Sequence, residues 1–190
     1  MDPKIIRMTD EHLVEGCQKE DRQSQRHLYE KYFETMTFVC YRYAKDADTA
    51  SDLVHEGFIK VFKSIKSFKS KGSLEGWIRR IMVNVCLDHL RKQKKFQGDL
   101  PISEAEGKSI DDEAISNLQA EYILEKIREL PDPLRTVFNL YVVEGYPHKE
   151  IAAQMGFGAS TSRAYLTEAR KILRKKLGSN FQRERRVNHG

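Results

Sequence analysis

Two sets of side chains, far apart in the chain, have the types and spacing to hold a nucleic acid. After Gly158, the small hydroxyl residues Ser160 and Thr161 precede Arg163, Thr167, Lys171 and Arg174. At about 100° per residue, Ser160, Arg163, Thr167, Lys171 and Arg174 gather on one helical face, centred about 120° from a second face of Ser162, Leu166, Ala169, Leu173 and Leu177. Arginine and short hydroxyl side chains near a helix start can reach base edges in a major groove, and cations further along suit phosphates. Earlier in the chain, Trp77, Arg80, Asn84, Asp88 and Arg91 step by three, four, four and three. They form a band about 80° wide, clear of the Ile78, Met82 and Val85 stripe. Guanidiniums can hold backbone phosphates, and an amide can read an unstacked base edge.

Both bands leave a plainer reading open. A lone tryptophan at helical spacing packs in a core as readily as it meets DNA. Asp88 stands three residues before Arg91, where an exposed ion pair contributing little would form. The segment 148–177 could also be an amphipathic hairpin with a solvated cationic side.

The elements that must position these residues are helical throughout. Val54, Phe58, Val61, Ile65 and Phe68 make one apolar stripe, and Leu28, Tyr32, Phe33, Val39 and Tyr43 populate the helix before it. Downstream, 118–130 and 133 to about 144 read as two helices, followed by two more split at Met155-Gly156. Ile151, Ala152 and Met155 give the first of that last pair its apolar face. Gly156 supplies a tight turn, Phe157 plugs the space between the helices, and Gly158 serves as N-cap of the second. No alternating strand pattern or internal repeat is present. The expected fold is all-α, in two small helical domains, the second carrying a helix-turn-helix.

Charge marks the joints. The 190 residues hold 33 Lys plus Arg against 28 Asp plus Glu, a net charge of +5. From 57 to 74 there are five lysines (Lys60, Lys63, Lys66, Lys69, Lys71) and no acid, while 99–117 has six acids against Lys108 alone. From 170 to 186 eight basic residues face one acid. Two basic modules on an acidic tether suggest a polyanion touched in two places. The expected divisions are therefore 1–97, a flexible acidic linker at 98–117, a second domain at 118–178, and a basic, disordered tail at 179–190.

Several function classes drop out. No stretch nears the roughly 20 apolar residues of a membrane span, and the N-terminus lacks the apolar core of a secretory signal. A cytoplasmic location follows as the default. The three cysteines (Cys17, Cys40, Cys86) are too few and scattered for a disulfide framework. The six histidines show no ligand spacing with them, so no metal is expected. No phosphate-cradling glycine loop and no nucleophile–base pair is present, so neither a cofactor nor an enzyme activity is expected.

The residues also carry a family resemblance. LPDPLRTVFNLYVVEGYPHKEIAAQMG (130–156) resembles region 4 of bacterial sigma factors. ASDLVHEGFIKVFKSIKSF (50–68) resembles their region 2.2, and GSLEGWIRRIMVNVCLDHLRKQKK (72–95) is similar to regions 2.3 and 2.4. Nothing resembles regions 1.1 or 3, and that layout is the one of the extracytoplasmic-function (ECF) sigma factors. The resemblance implies a protein that joins core RNA polymerase, reads the −35 and −10 promoter elements and melts the −10 region. It assigns polymerase docking, on the β′ clamp helices, to Asp52, His55, Glu56 and Ile59, and a further contact to the β flap. It assigns −10 DNA to Lys71, Trp77, Arg80, Asn84, Asp88 and Arg91, with a flipped base bordered by the loop 69–76. It assigns −35 DNA to Ser160, Thr161, Arg163, Thr167, Lys171 and Arg174, and it implies an anti-sigma partner.

This chain departs from the family where Gly158, Ala159, Ser160 and Thr161 replace the usual Ser-Glu-Gly-Thr run. Ser162 replaces a common valine on the buried side, which reads as a modest packing loss. Without the resemblance, Asp52 could serve the helix dipole and Glu56 could be simply exposed. A stand-alone helix-turn-helix repressor, or a helical interaction bundle with incidental charge, would then remain open.

Overall fold

Acidic and hydroxyl side chains set the helix starts in the first half of the chain. Thr9 accepts from the backbone N–H of His12 at 3.4 Å and opens α1 (Asp10–Gln18). Asp21 accepts from the Ser24 N–H at 2.8 Å and opens α2 (Arg22–Tyr41), and Asp46 accepts from the Thr49 N–H at 2.7 Å to open α3 (Ala47–Ser64). Each cap satisfies an otherwise unpaired donor, an effect of about 1 kcal/mol. A single 3-10 turn, Ile65–Ser67, follows α3, and α4 spans Leu74–Gln97. The second half contains α5 (Asn117–Arg128), α6 (Asp132–Phe138), a π-helical segment Asn139–Val143, α7 (His148–Met155) and α8 (Ala159–Val187).

This architecture comes from a computed structural model that describes residues 9–97 and 117–187, with side chains described for 9–93 and 122–177. Among the described residues there is no strand, as expected, and no helix is long and apolar enough to cross a membrane. The chain divides into two units, 1–93 and 94–190. That division falls in the last turn of α4, where the charge pattern placed it at 97. The expected acidic linker lies outside the described residues apart from Asn117, which begins α5.

The first unit buries Leu28, Met36, Val54, Ile78, Met82 and Leu87 at its centre. Gly57 lets α3 approach α4 closely: a Cβ there would lie 2.1 Å from the Met82 sulfur. Helix α1, which the sequence reading did not mark out, buries Leu13, Val14 and Cys17. Its Asp10 accepts from Tyr32 Oη and Lys31 Nζ on α2, both at 2.8 Å. Cys17, Cys40 and Cys86 are free and buried.

The second unit packs α5 and α6 on α8 around Ile127, Leu130, Leu134, Ala169 and Leu173. Arg135 is buried here and closes α5: Nη1 donates to the Arg128 and Leu130 carbonyls at 2.9 and 3.4 Å, and Nη2 to Asp132 Oδ1 at 2.8 Å. One expectation is corrected. The single helix from 133 to about 144 ends its α-helical part at Phe138 and widens into the π segment. There the Glu144 N–H reaches back five residues to the Asn139 carbonyl at 3.0 Å. Widening keeps Asn139 and Leu140 buried and turns Tyr141, Val142 and Val143 outward. Helix α8 runs through Gly178 to Val187, because one glycine alone does not stop a helix that no proline follows and that Gln, Arg and Glu favour.

Candidate nucleic-acid interface

In the first unit, α4 begins at Leu74, so the last three residues of the loop expected at 69–76 are helical. Ser73 caps it, its Oγ accepting the Gly76 N–H at 3.1 Å. The chain enters through two left-handed residues, Ser70 (φ 52°) and Gly72 (φ 96°), which hold Lys71 out in solvent. Along α4, Arg80, Asn84 and Arg91 are exposed and Asp88 is half-exposed, all on one side, while Ile78, Met82 and Val85 are buried. Trp77 takes a middle position. Its ring lies 5.3 Å from Phe68 at 48° and is half-buried, so it packs in part and stays open in part.

Asp88 has more partners than its neighbour three residues on. It takes the Arg91 Nη2 at 2.8 Å and also faces Lys60 Nζ of α3 at 3.6 Å, while Lys60 binds Glu56 at 3.0 Å. Partial burial pulls the Lys60 ammonium down, but Glu56 and Asp88 outweigh it and hold the group above the ordinary lysine range. These groups are two-fifths to one-half exposed, so each pair contributes roughly 0–1 kcal/mol. Their effect is positional. The network joins the acidic face of α3 to the cationic face of α4, a link across 28 residues that no helical spacing encodes.

The residues expected to dock on a partner share the outer side of α3. Asp52 and His55 are exposed, and Ile59 is 53% exposed, a large apolar side chain turned outward. The His55 ring runs nearly parallel to Tyr29 of α2, with centroids 6.4 Å apart at 5°, and lies near Phe33. Glu56 is half-exposed and engaged by Lys60 rather than free. Phe38 of α2, 52% exposed, is another outward apolar group that the sequence reading passed over. Its neighbours in sequence follow the buried stripe, so periodicity alone hid it.

In the second unit the turn is built as expected. Gly156 has φ +75° and ends α7, and the Gly158 carbonyl accepts the Ser162 N–H at 3.1 Å. Phe157 meets Tyr165 edge-on at 5.5 Å. Ser160, Arg163, Thr167, Lys171 and Arg174 are exposed and Thr161 is half-exposed, while Ser162, Leu166, Ala169 and Leu173 face the core. Lys171 pairs with Glu168 at 3.5 Å, and Thr167 bonds the Arg163 carbonyl at 3.0 Å.

Ser162 is more than the packing loss its type suggested. It is fully buried and hydrogen-bonded to His148 Nδ1 at 2.9 Å. The imidazole stacks on Tyr141, with centroids 4.3 Å apart at 18°. Burial, then Arg163 and Arg170, hold His148 below the ordinary histidine range. Sequence reasoning treated His148 only as an unlikely metal ligand. Among the described residues, no group of three or more His, Cys, Asp or Glu is placed to hold a metal ion.

The chain matches known proteins over most of its length. Sigma-70 region 2 matches residues 28–96, and Sigma-70, region 4 matches 120–173. The chain is 28% identical to the ECF RNA polymerase sigma-E factor of Haemophilus influenzae over 90% of this chain and 96% of that one. It is also 28% identical to the RNA polymerase sigma-H factor of Pseudomonas aeruginosa, over 88% and 93% of the two chains. Its fold is similar to that of a Bartonella quintana sigma factor solved in complex with an anti-sigma factor, at TM-score 0.52 and 19% identity, covering 80% of this chain and 96% of that one. The chain therefore belongs to the sigma-70 family as an ECF sigma factor, a non-enzymatic protein that binds RNA polymerase and directs promoter-specific transcription initiation.

Proposed function

We propose that the two units divide promoter recognition between them. The α4 face with Lys71, Trp77, Arg80, Asn84, Asp88 and Arg91 captures the melted −10 strand. Its guanidiniums and Lys71 hold phosphates, Asn84 reads a base edge, and the exposed part of the Trp77 ring offers a stacking surface. Unstacking a base costs a few kcal/mol, roughly, which phosphate contacts and a fitted pocket must offset. The α8 face with Ser160, Thr161, Arg163, Thr167, Lys171 and Arg174 enters the −35 major groove, Arg163 reaching bases and the later cations reaching phosphates.

The outer side of α3, with Asp52, His55, Glu56 and Ile59, docks on the β′ clamp helices, and the second unit meets the β flap. The protein acts in the cytoplasm, and an anti-sigma factor covers these surfaces when it is idle, in line with the partner of the Bartonella quintana structure. The observation that carries this reading is the exposed Arg/Asn/Arg band on α4, set apart from its buried stripe. Transcription from a matching promoter with core polymerase tests it. Added protein should start synthesis and make the −10 region reactive to permanganate. Duplex binding without core-dependent initiation would favour a stand-alone repressor instead.

A further inference from the structure

The buried Ser162 lies in the first turn of α8, next to Arg163, and its hydroxyl is tied to His148 at the first position of α7. That bond, with the stack of His148 on Tyr141, links three elements at the base of the helix-turn-helix. The charged and titratable groups around the imidazole are Arg163 and Arg170 of α8, Tyr141 of the π segment, and Lys149 and Glu150 along its own helix. Arg163 and Arg170 stand two turns apart on one side of α8 and are both exposed, and the Arg170 guanidinium lies 6.0 Å from the Tyr141 ring centre. His148 is thus half-buried on its Ser162 side and set among the cations of the outer surface.

We propose that His148 is a proton-linked positioning residue of the recognition helix. It fixes the first turn of α8 through Ser162, and on taking up a proton it joins Arg163 and Arg170 as a third cation facing the phosphodiester backbone of a DNA duplex. This rests on the reading of α8 as the duplex-reading helix.

The bond to Ser162 survives both protonation states. In the neutral ring Nδ1 accepts the hydroxyl proton and Nε2 carries the hydrogen. In the imidazolium Nδ1–H donates to Ser162 Oγ, which accepts through a lone pair. What changes is the charge. Without DNA, partial burial and the two guanidiniums of Arg163 and Arg170 oppose the added proton. Phosphates arriving at Arg163 and Arg170 remove that opposition. Duplex binding then takes up a proton, and by reciprocity acid tightens the complex.

The effect on folding runs the other way. A histidine depressed below its ordinary 6.5 contributes stability that is complete above that value and is lost as the pH falls through the folded-state value. A mere fold effect therefore predicts weaker binding in acid, and the proposal predicts stronger.

The test uses the full chain and a labelled mixed-sequence DNA duplex at fixed ionic strength. From about pH 8 to about pH 5.5, wild-type affinity should rise roughly three- to tenfold, since one unit of pKa difference is worth tenfold. H148N keeps a polar partner where Nδ1 sits but does not titrate, so it should match wild type within about twofold at the upper pH and lose the slope. H148A should lose both. An H148N slope equal to wild type, or a wild-type affinity that falls in acid, would overturn the proposal. If the duplex is not bound at any pH, the reading of α8 fails instead. The imidazole titration of the free chain, followed by NMR, then decides the local claim. It should lie below the ordinary range and move up in R163Q and in R170Q; a titration unmoved in both would overturn it.

Discussion

Arg135→Met tests the internal support of the second unit. The arginine is 4% exposed, and its fork holds two backbone carbonyls and the Asp132 carboxylate at the junction of α5 and α6. Methionine fills much of the volume but offers no donor. Two partly enclosed carbonyls and one carboxylate then lose this donor. Asp132 remains about one-third exposed, so water recovers part of its loss. A net destabilisation of roughly 2–4 kcal/mol follows, below the 3–5 typical of a fully buried broken pair. For a unit of this size that lowers the midpoint by on the order of 10–25 °C. Native-state hydrogen exchange should show faster opening of amides in α6 and α8 and no change in α2 and α3. At temperatures above the new midpoint, duplex binding should be lost. A loss under about 1 kcal/mol would refute the argument that these carbonyls depend on the guanidinium. So would equal acceleration in both units.

Further outcomes follow from other contacts. Asn84→Ala should reduce initiation at −10 variants more than it weakens duplex binding, whereas Arg163→Ala should cost −35 duplex binding about 1–3 kcal/mol if it makes a bidentate base contact; equal, sequence-independent losses would contradict the division between α4 and α8. Asp52→Arg should weaken co-purification with core polymerase while leaving the helical circular dichroism unchanged, since Asp52 is exposed on α3. Glu129 is pushed up by burial, but Lys126 and Lys176 outweigh this and hold it below the ordinary 4.5. Its stabilising effect should therefore be complete above about pH 4.5 and fade as the pH falls through the folded-state value. Denaturant titrations should show wild type more stable than Glu129→Gln at neutral pH, with the two converging in acid.

Much of the molecule is set by local rules that a sequence displays. The periodicity of Val54, Phe58 and Val61 and the separation of Arg163 from Leu166 follow from one helical repeat, and the Gly156 turn follows from glycine's freedom to take a positive φ, so the all-α class, the helix-turn-helix and both exposed bands were legible. The motifs in those helices also carried the family resemblance. The outlying cases have local causes too: Thr9 and the acids after it announced α1, although its short apolar run was easily missed.

Contacts between helices depend instead on crossing angle and register, which arise only once the cores of each unit are packed. Lys60 meets Asp88 because α3 and α4 approach at Gly57 and Met82. Arg135 closes α5 because α6 folds back on it, and the π segment opens because Asn139 and Leu140 must stay buried while the chain turns. Trp77 could be core or surface by spacing alone, and only Phe68 decides that it is half of each. Ser162 looked like a missing methyl group until α7 brought His148 against it. The identity of each side chain was written in the chain, whereas its partner was decided by packing, because a residue's partner can lie tens of positions away and no helical period reaches that far.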